Sequence, residues 1–298
     1  MTRPRSVVAL LLLLWLGVAF PAASAEGFRP VPRFNTGETV RYRMNLTLTV
    51  ESLLGPESDP VANEQTWRRA VDITWRIELV GAEPDGSTRL RAVIEALEVE
   101  PPVWSERFQR EDYVGQAVGY RLRPDGRVED IQVPAAWSEG GNSPAWLGAW
   151  LDLSRGSESA LPGHPLQPGD RWKSTHARDV PGLPRQRETS ESEYLRDEVR
   201  GEVPCAAILT RFTTSGNDTR GEAGPDRSRT RTERQLEGEG DRLACYDLQN
   251  GRVVESTQRS HEQFRLRVRD ISRDRKAAPL SLVLETRTQF ESHLRVVD

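Results

Sequence analysis

Hydrophobic and polar residues alternate through most of this chain. Val40, Tyr42, Met44, Leu46, Leu48 and Val50 fall on one side of a two-residue repeat, with Arg41, Arg43, Asn45, Thr47 and Thr49 on the other. Such alternation predicts a β-strand that buries one face and wets the other. Val71, Ile73, Trp75, Ile77 and Leu79 repeat the pattern against Asp72, Thr74, Arg76 and Glu78. Pro84-Asp85-Gly86 then leads into Leu90, Ala92 and Ile94, a hairpin signal. A second hairpin is predicted from Val118, Tyr120 and Leu122, through Pro124-Asp125-Gly126, to Val128 and Ile131. Together these strands form an antiparallel meander.

Further strands, longer and more polar, are predicted at 171–177, 188–199, 205–214, 229–236, 241–248, 253–268 and 280–296. Stretches 55–65 and 215–228 lack periodicity and are expected as solvated loops. One segment departs from the strand pattern. Ser143-Pro144 reads as an N-cap followed by proline at the first helical position. Trp146, Leu147, Trp150 and Leu151 share a helical face, which predicts a helix around 143–155 packed on a sheet. Its aromatic stripe reads as ordinary core. The sharper reading is a cavity lining, which makes Trp75, Trp146 and Trp150 the candidate ligand-binding residues.

The second half echoes the first. Gly37-Glu38, ahead of Val40 and Tyr42, corresponds to Gly169-Asp170 ahead of Trp172. Asp125-Gly126-Arg127-Val128 corresponds to Asn250-Gly251-Arg252-Val253, and turn chemistry alone can produce that likeness. The expected fold class is mainly β: a curved antiparallel sheet, half-barrel or sandwich-like, with two repeated halves as one option and a helix around 143–155. The organisation expected is a leader at 1–25, a first β half with a C-terminal helix at 26–157, and a second β half with a disulfide at 158–298.

The leader follows from Arg3 and Arg5, an uncharged run at 7–20, Pro21, and the small triplet Ala23-Ser24-Ala25. This is the pattern of a signal peptide cleaved after Ala25, and it predicts a periplasmic or secreted protein. The apolar run is shorter than the roughly 20 residues of a spanning helix. A retained N-terminal anchor is the alternative. No later stretch is apolar enough to cross a bilayer, so no transmembrane segment is expected in the mature chain. Hydrophobic residues make up 36% and charged residues 29%, a balance that suits sheets burying one face only. The net charge of −4 is spread over interspersed signs, which leaves no basic field for nucleic acid. Cys205 and Cys245, in an oxidising compartment, predict one disulfide; two buried thiols are the alternative.

No constellation for chemistry emerges. His164, His176, His261 and His293 have no metal-ligand partner at helical or strand spacing, and the cysteines lack the clustering of a zinc site. No metal site or cofactor is expected. There is no G-x-S-x-G elbow, P-loop or dinucleotide fingerprint. Catalytic residues are accordingly assigned to none. The sequence reads best as a non-catalytic envelope protein that binds a lipidic ligand or an envelope protein partner on a curved sheet. A secreted hydrolase with dispersed catalytic residues and a structural docking module are the alternatives.

Residues 161–172, Leu-Pro-Gly-His-Pro-Leu-Gln-Pro-Gly-Asp-Arg-Trp, resemble an LP-x-x-P-x-x-x-GD-x-W signature of secreted bacterial proteins of unknown function. Residues 245–254 look like the D-x-x-N-G-R hairpin of the same proteins, and the resemblance covers mainly 160–298. It implies an architecture similar to the periplasmic lipoprotein-carrier half-barrels, in which a curved sheet wraps an apolar cavity closed by helices. This sequence departs from that pattern in offering one predicted helix. The motif also has a plain physical reading: prolines hold an extended approach, Gly169 and Asp170 turn the chain, and Trp172 enters the core as a strand begins.

Overall fold

In β1 (Thr39–Pro56) the side chains of Val40, Tyr42, Met44, Leu46, Leu48 and Val50 are all buried, and those between them are exposed or half-covered. The computed structural model describes residues 27–56, 63–101, 109–124, 128–134, 137, 162, 164–178, 184–223, 229–270 and 281–297. Ten further strands follow: β2 (Asn63–Ala82), β3 (Thr88–Glu100), β4 (Ala117–Leu122), β5 (Val128–Gln132), β6 (Arg171–Arg178), β7 (Gln186–Arg200), β8 (Val203–Ala223), β9 (Arg229–Asp247), β10 (Val253–Asp270) and β11 (Ser281–Val297). They form one antiparallel sheet in the order β5-β4-β3-β2-β1-β11-β10-β9-β8-β7-β6. Each half is a meander of hairpin neighbours, and the first and last strands meet in the middle. The β1–β11 ladder runs from Arg41 opposite Val297 to Pro56 opposite Leu282.

All eleven strands belong to one antiparallel sheet that does not close on itself. The helix expected around 143–155 lies outside the described residues, as do the leader and cleavage site at 1–25 and the turn residues Asp125, Gly126 and Arg127. A short 3-10 turn at Arg110–Asp112 sits between β3 and β4. Three further expectations are corrected. The stretches 229–236 and 241–248 are one strand, β9, and β8 continues to Ala223 through much of the expected 215–228 loop. Ladder pairing outweighs local propensity there. Gly216 pairs with Gln186 on one side and Leu236 on the other, and a Cβ at Gly216 would lie 2.8 Å from the Arg185 carbonyl oxygen. Close approach of two strands explains the glycine. Of the expected 55–65 loop, Gly55 and Pro56 belong to β1, and 63–65 belong to β2.

Two apolar clusters lie on the same face, here termed the core face. The larger joins β1 to β4 through Tyr42, Met44, Ile73, Trp75, Ile94 and Leu97. The smaller gathers Phe28, Leu166, Tyr194, Ala206, Ile208, Ala244 and Tyr246. Residues 27–38 link them by crossing one end of the sheet. Phe28 forms a bridge with Leu166 and sets its ring 6.1 Å from that of Tyr194. The Arg33 N–H donates to Asn250 O at 2.8 Å. Arg252, almost buried, pairs with Glu38 at 2.7 Å and lies 5.1 Å over the Phe34 ring.

Candidate functional site

Among the described residues, the predicted sites lie in separate parts of the fold. Trp75, on β2, is 1% exposed and stacks on Tyr42 with ring centroids 5.6 Å apart, inside the larger core cluster. Trp146 and Trp150 lie outside the described residues. Gly169 has φ of +95°, a left-handed conformation that suits glycine. Its N–H donates to Tyr194 O at 2.7 Å, and the Tyr194 N–H donates to Asp170 O at 3.0 Å, which fixes the start of β6 beside β7. Asp170 accepts from the Gln167 N–H at 2.8 Å, and Trp172 packs half-buried on the smaller cluster. Gly37-Glu38 uses the same device: φ of +78° at the glycine, and Glu38 accepting from the Asn35 N–H at 2.8 Å. The sequence echo is thus a shared strand-entry turn.

Cys205 on β8 and Cys245 on β9 form a disulfide with Cα atoms 5.5 Å apart. Among the described residues, the grouping with ligand-like spacing is Glu198 beside these two cysteines. With both sulfurs bonded to each other it offers a lone carboxylate and no metal site. Of the histidines, His293 meets Glu255 at 2.8 Å and His176 lies 3.6 Å from Glu188. His261 stands on the outer, charged face.

On that charged face, carboxylates and guanidiniums interlock. Glu78 accepts from Arg76 and from Arg91, each at 2.5 Å, and these bonds hold its carboxyl below the usual range. Asp72 accepts from Arg43 at 2.6 Å and from Asn45 at 2.8 Å. A shallow cavity of about 440 Å³ crosses β1, β11, β10, β9 and β8 on this side, lined by groups such as Glu51, Thr213, Glu239, His261 and Arg287. Its lining residues are all polar or glycine.

The core face changes character along the strands. Beyond β11 its middle rows are hydroxyl-lined: Ser174 and Ser190 bond at 2.7 Å, and Ser192 and Thr210 at 2.9 Å. Toward the end of the sheet where β1 and β10 finish, apolar side chains return and are open to solvent. Register places Leu54, Leu284 and Leu266 in one row across β1, β11 and β10, and Pro56, Leu282 and Val268 in the next. Leu54 is 46% exposed and Leu282 41%, while Leu266, Val268, Leu284 and Phe264 are half-buried. The same rows continue into β9 and β8 as Arg234 opposite Asp218, and Thr232 opposite Arg220. Arg234, 9% exposed, donates through Nε to Asp218 at 2.7 Å and through Nη2 to its other oxygen. This bonding, from Arg234 first, holds the Asp218 carboxyl below its ordinary range.

This open apolar end was not singled out from the sequence. Its signal is present in the alternation of Phe264, Leu266 and Val268 with Arg265, Arg267 and Arg269. Only the register of β11 against β1 and β10 shows that six such residues share one exposed area.

No protein-family model matches this chain, and no curated protein matches it in sequence. Among solved structures it is similar to one described as "Asymmetric conductivity of engineered proteins", at 9% identity over 87% of this chain and 99% of the other, with a TM-score of 0.23. It is also similar to OccK11 (OpdR) of Pseudomonas aeruginosa, at 7% identity over 91% and 100% of the two chains, TM-score 0.21. A mutant porin of Rh. blastica aligns at 7% identity over 87% and 99%, TM-score 0.22. TM-scores of this size carry no argument about architecture or activity.

Proposed function

We propose that this chain is an exported, non-catalytic envelope protein that binds an apolar ligand of acyl-chain type on the open end of its core face. In this reading the sheet bends as a half-barrel of two like halves, and the ligand lies against its inner side. One observation supports it above the others: three neighbouring strands present Leu54, Leu284, Leu266 and their row neighbours to solvent on the face that elsewhere forms the core. Contiguous apolar area left open on a soluble body marks an interaction site. The leader pattern and the disulfide support export.

The test is native mass spectrometry on the full chain exported to a bacterial periplasm, with binding of N-phenylnaphthylamine as a second readout. The expected result is a bound lipid and probe fluorescence, both lost in Leu266→Asp with the circular dichroism spectrum kept. Lipid-free protein that leaves the probe dark would overturn the reading.

A further inference from the structure

The open end of the core face is apolar on one side only. On β1, β11 and β10 its two outer rows carry Leu54, Leu284, Leu266, Leu282 and Val268. Two strands further on, the same rows reach β8, where they carry Asp218 and Arg220. Residues of one cross-strand row project to the same side of a sheet, so the guanidinium of Arg220 belongs to the face that bears the leucines. Five strands in register make four spacings, roughly 19 Å from β1 to β8. A molecule lying across the strands would meet hydrocarbon first and a cation last.

Among the described residues, two cations at that far side meet one carboxylate. Asp218 is committed to Arg234, which holds both of its oxygens. Arg220 reaches the same carboxylate at 3.3 Å and remains 63% exposed. Both guanidiniums thus bond the one carboxylate, and Arg220 is the one that faces solvent. A guanidinium with spare donors is well suited to a phosphate or carboxylate head.

We infer that the ligand of this face is an anionic amphiphile, with its acyl chain on the Leu54–Leu284–Leu266 rows and its head at Arg220. The inference rests on the apolar-ligand reading and adds the sign and place of the head. Half-burial of Leu266, Leu284 and Val268 suits a single bound molecule lying on a face better than a tip pressed into a bilayer.

Isothermal titration of the exported protein with lauroyl lysophosphatidylglycerol and lauroyl lysophosphatidylcholine, both below their micelle concentrations, tests it. The two differ in head charge and share one chain. The anionic form is expected to bind about tenfold more tightly, the size of one charge-assisted contact. Arg220→Gln should remove most of that preference, weakening the anionic lipid more than the zwitterionic one, whose choline offsets its phosphate charge, while Arg220→Lys keeps part of it. Leu266→Asp should abolish both. Equal affinity for the two in the wild type, or an Arg220→Gln protein that keeps the preference, overturns the head assignment while the apolar site stands. Binding of neither overturns the apolar site and the inference together. Binding to phosphatidylglycerol vesicles without binding of the monomeric lipid overturns the inference in favour of a membrane-docking surface.

Discussion

Trp75 is the largest side chain sealed in the core, packed flat against Tyr42. Its replacement by alanine is expected to cost about 3–5 kcal/mol, read as a fall in the urea midpoint, because the surrounding strands cannot collapse onto the void. Carboxylates on the two faces set an acid dependence. Glu78, bonded by Arg76 and Arg91, and Asp218, bonded by Arg234, both have folded pKa values below their unfolded ones. Their contribution is therefore complete above the unfolded values of about 4 and is lost as pH falls through the lower folded values. Stability measured by urea should hold from pH 7 to pH 5 and decline below pH 4. In Glu78→Gln the neutral-pH midpoint should fall and the acid decline become shallower; an unchanged decline would remove Glu78 from the account. Gly169 works through its backbone. Gly169→Ala at φ +95° should destabilise by roughly 1 kcal/mol or more, since a Cβ is strained there.

At the scale of the strand, alternation alone located β1, β2, β3 and β4, whose alternate residues pack on the large cluster, with Val93 of β3 buried out of turn. Such legibility fades in the second half for a physical reason. Ser190, Ser192, Thr210 and Thr214 occupy buried positions there, so polar residues stand where the pattern leads one to look for apolar ones. Strand ends were also under-read. Gly216, Asn217 and Asp218 have turn-like chemistry, yet partners on β9 keep them extended. The disulfide was readable from two cysteines and a leader, and it staples β8 to β9 over a separation of 40 residues. Replacing both cysteines by serine should cost about 4 kcal/mol by loop-entropy reasoning, visible as a lowered thermal midpoint. The candidate site was the least legible part. Tryptophans drew attention as cavity lining, but Trp75 is enclosed, and the open apolar end is made of leucine and valine brought together by register.

Across the whole molecule, residues 27–38 bind the two halves at one end of the sheet and the central β1–β11 ladder binds them along its length. Arg252 is the pin of the first connection, held by Glu38 and Phe34. In Arg252→Ala the amides of 27–38 should exchange with deuterium well before those of β1, while the disulfide and the sheet persist; protection equal to wild type would show that Phe28 alone holds the segment. The second connection has a consequence for how the protein is made. Strand β1 leaves the ribosome among the first residues of the body, yet one of its two neighbours, β11, is the last to emerge. The middle of the sheet cannot close until β11 has emerged and reached its place beside β1. Until then β1 waits with an unsatisfied edge, so a chaperone that shields it sets the yield of folded protein, and a stop codon ahead of β11 removes the seam of the whole sheet.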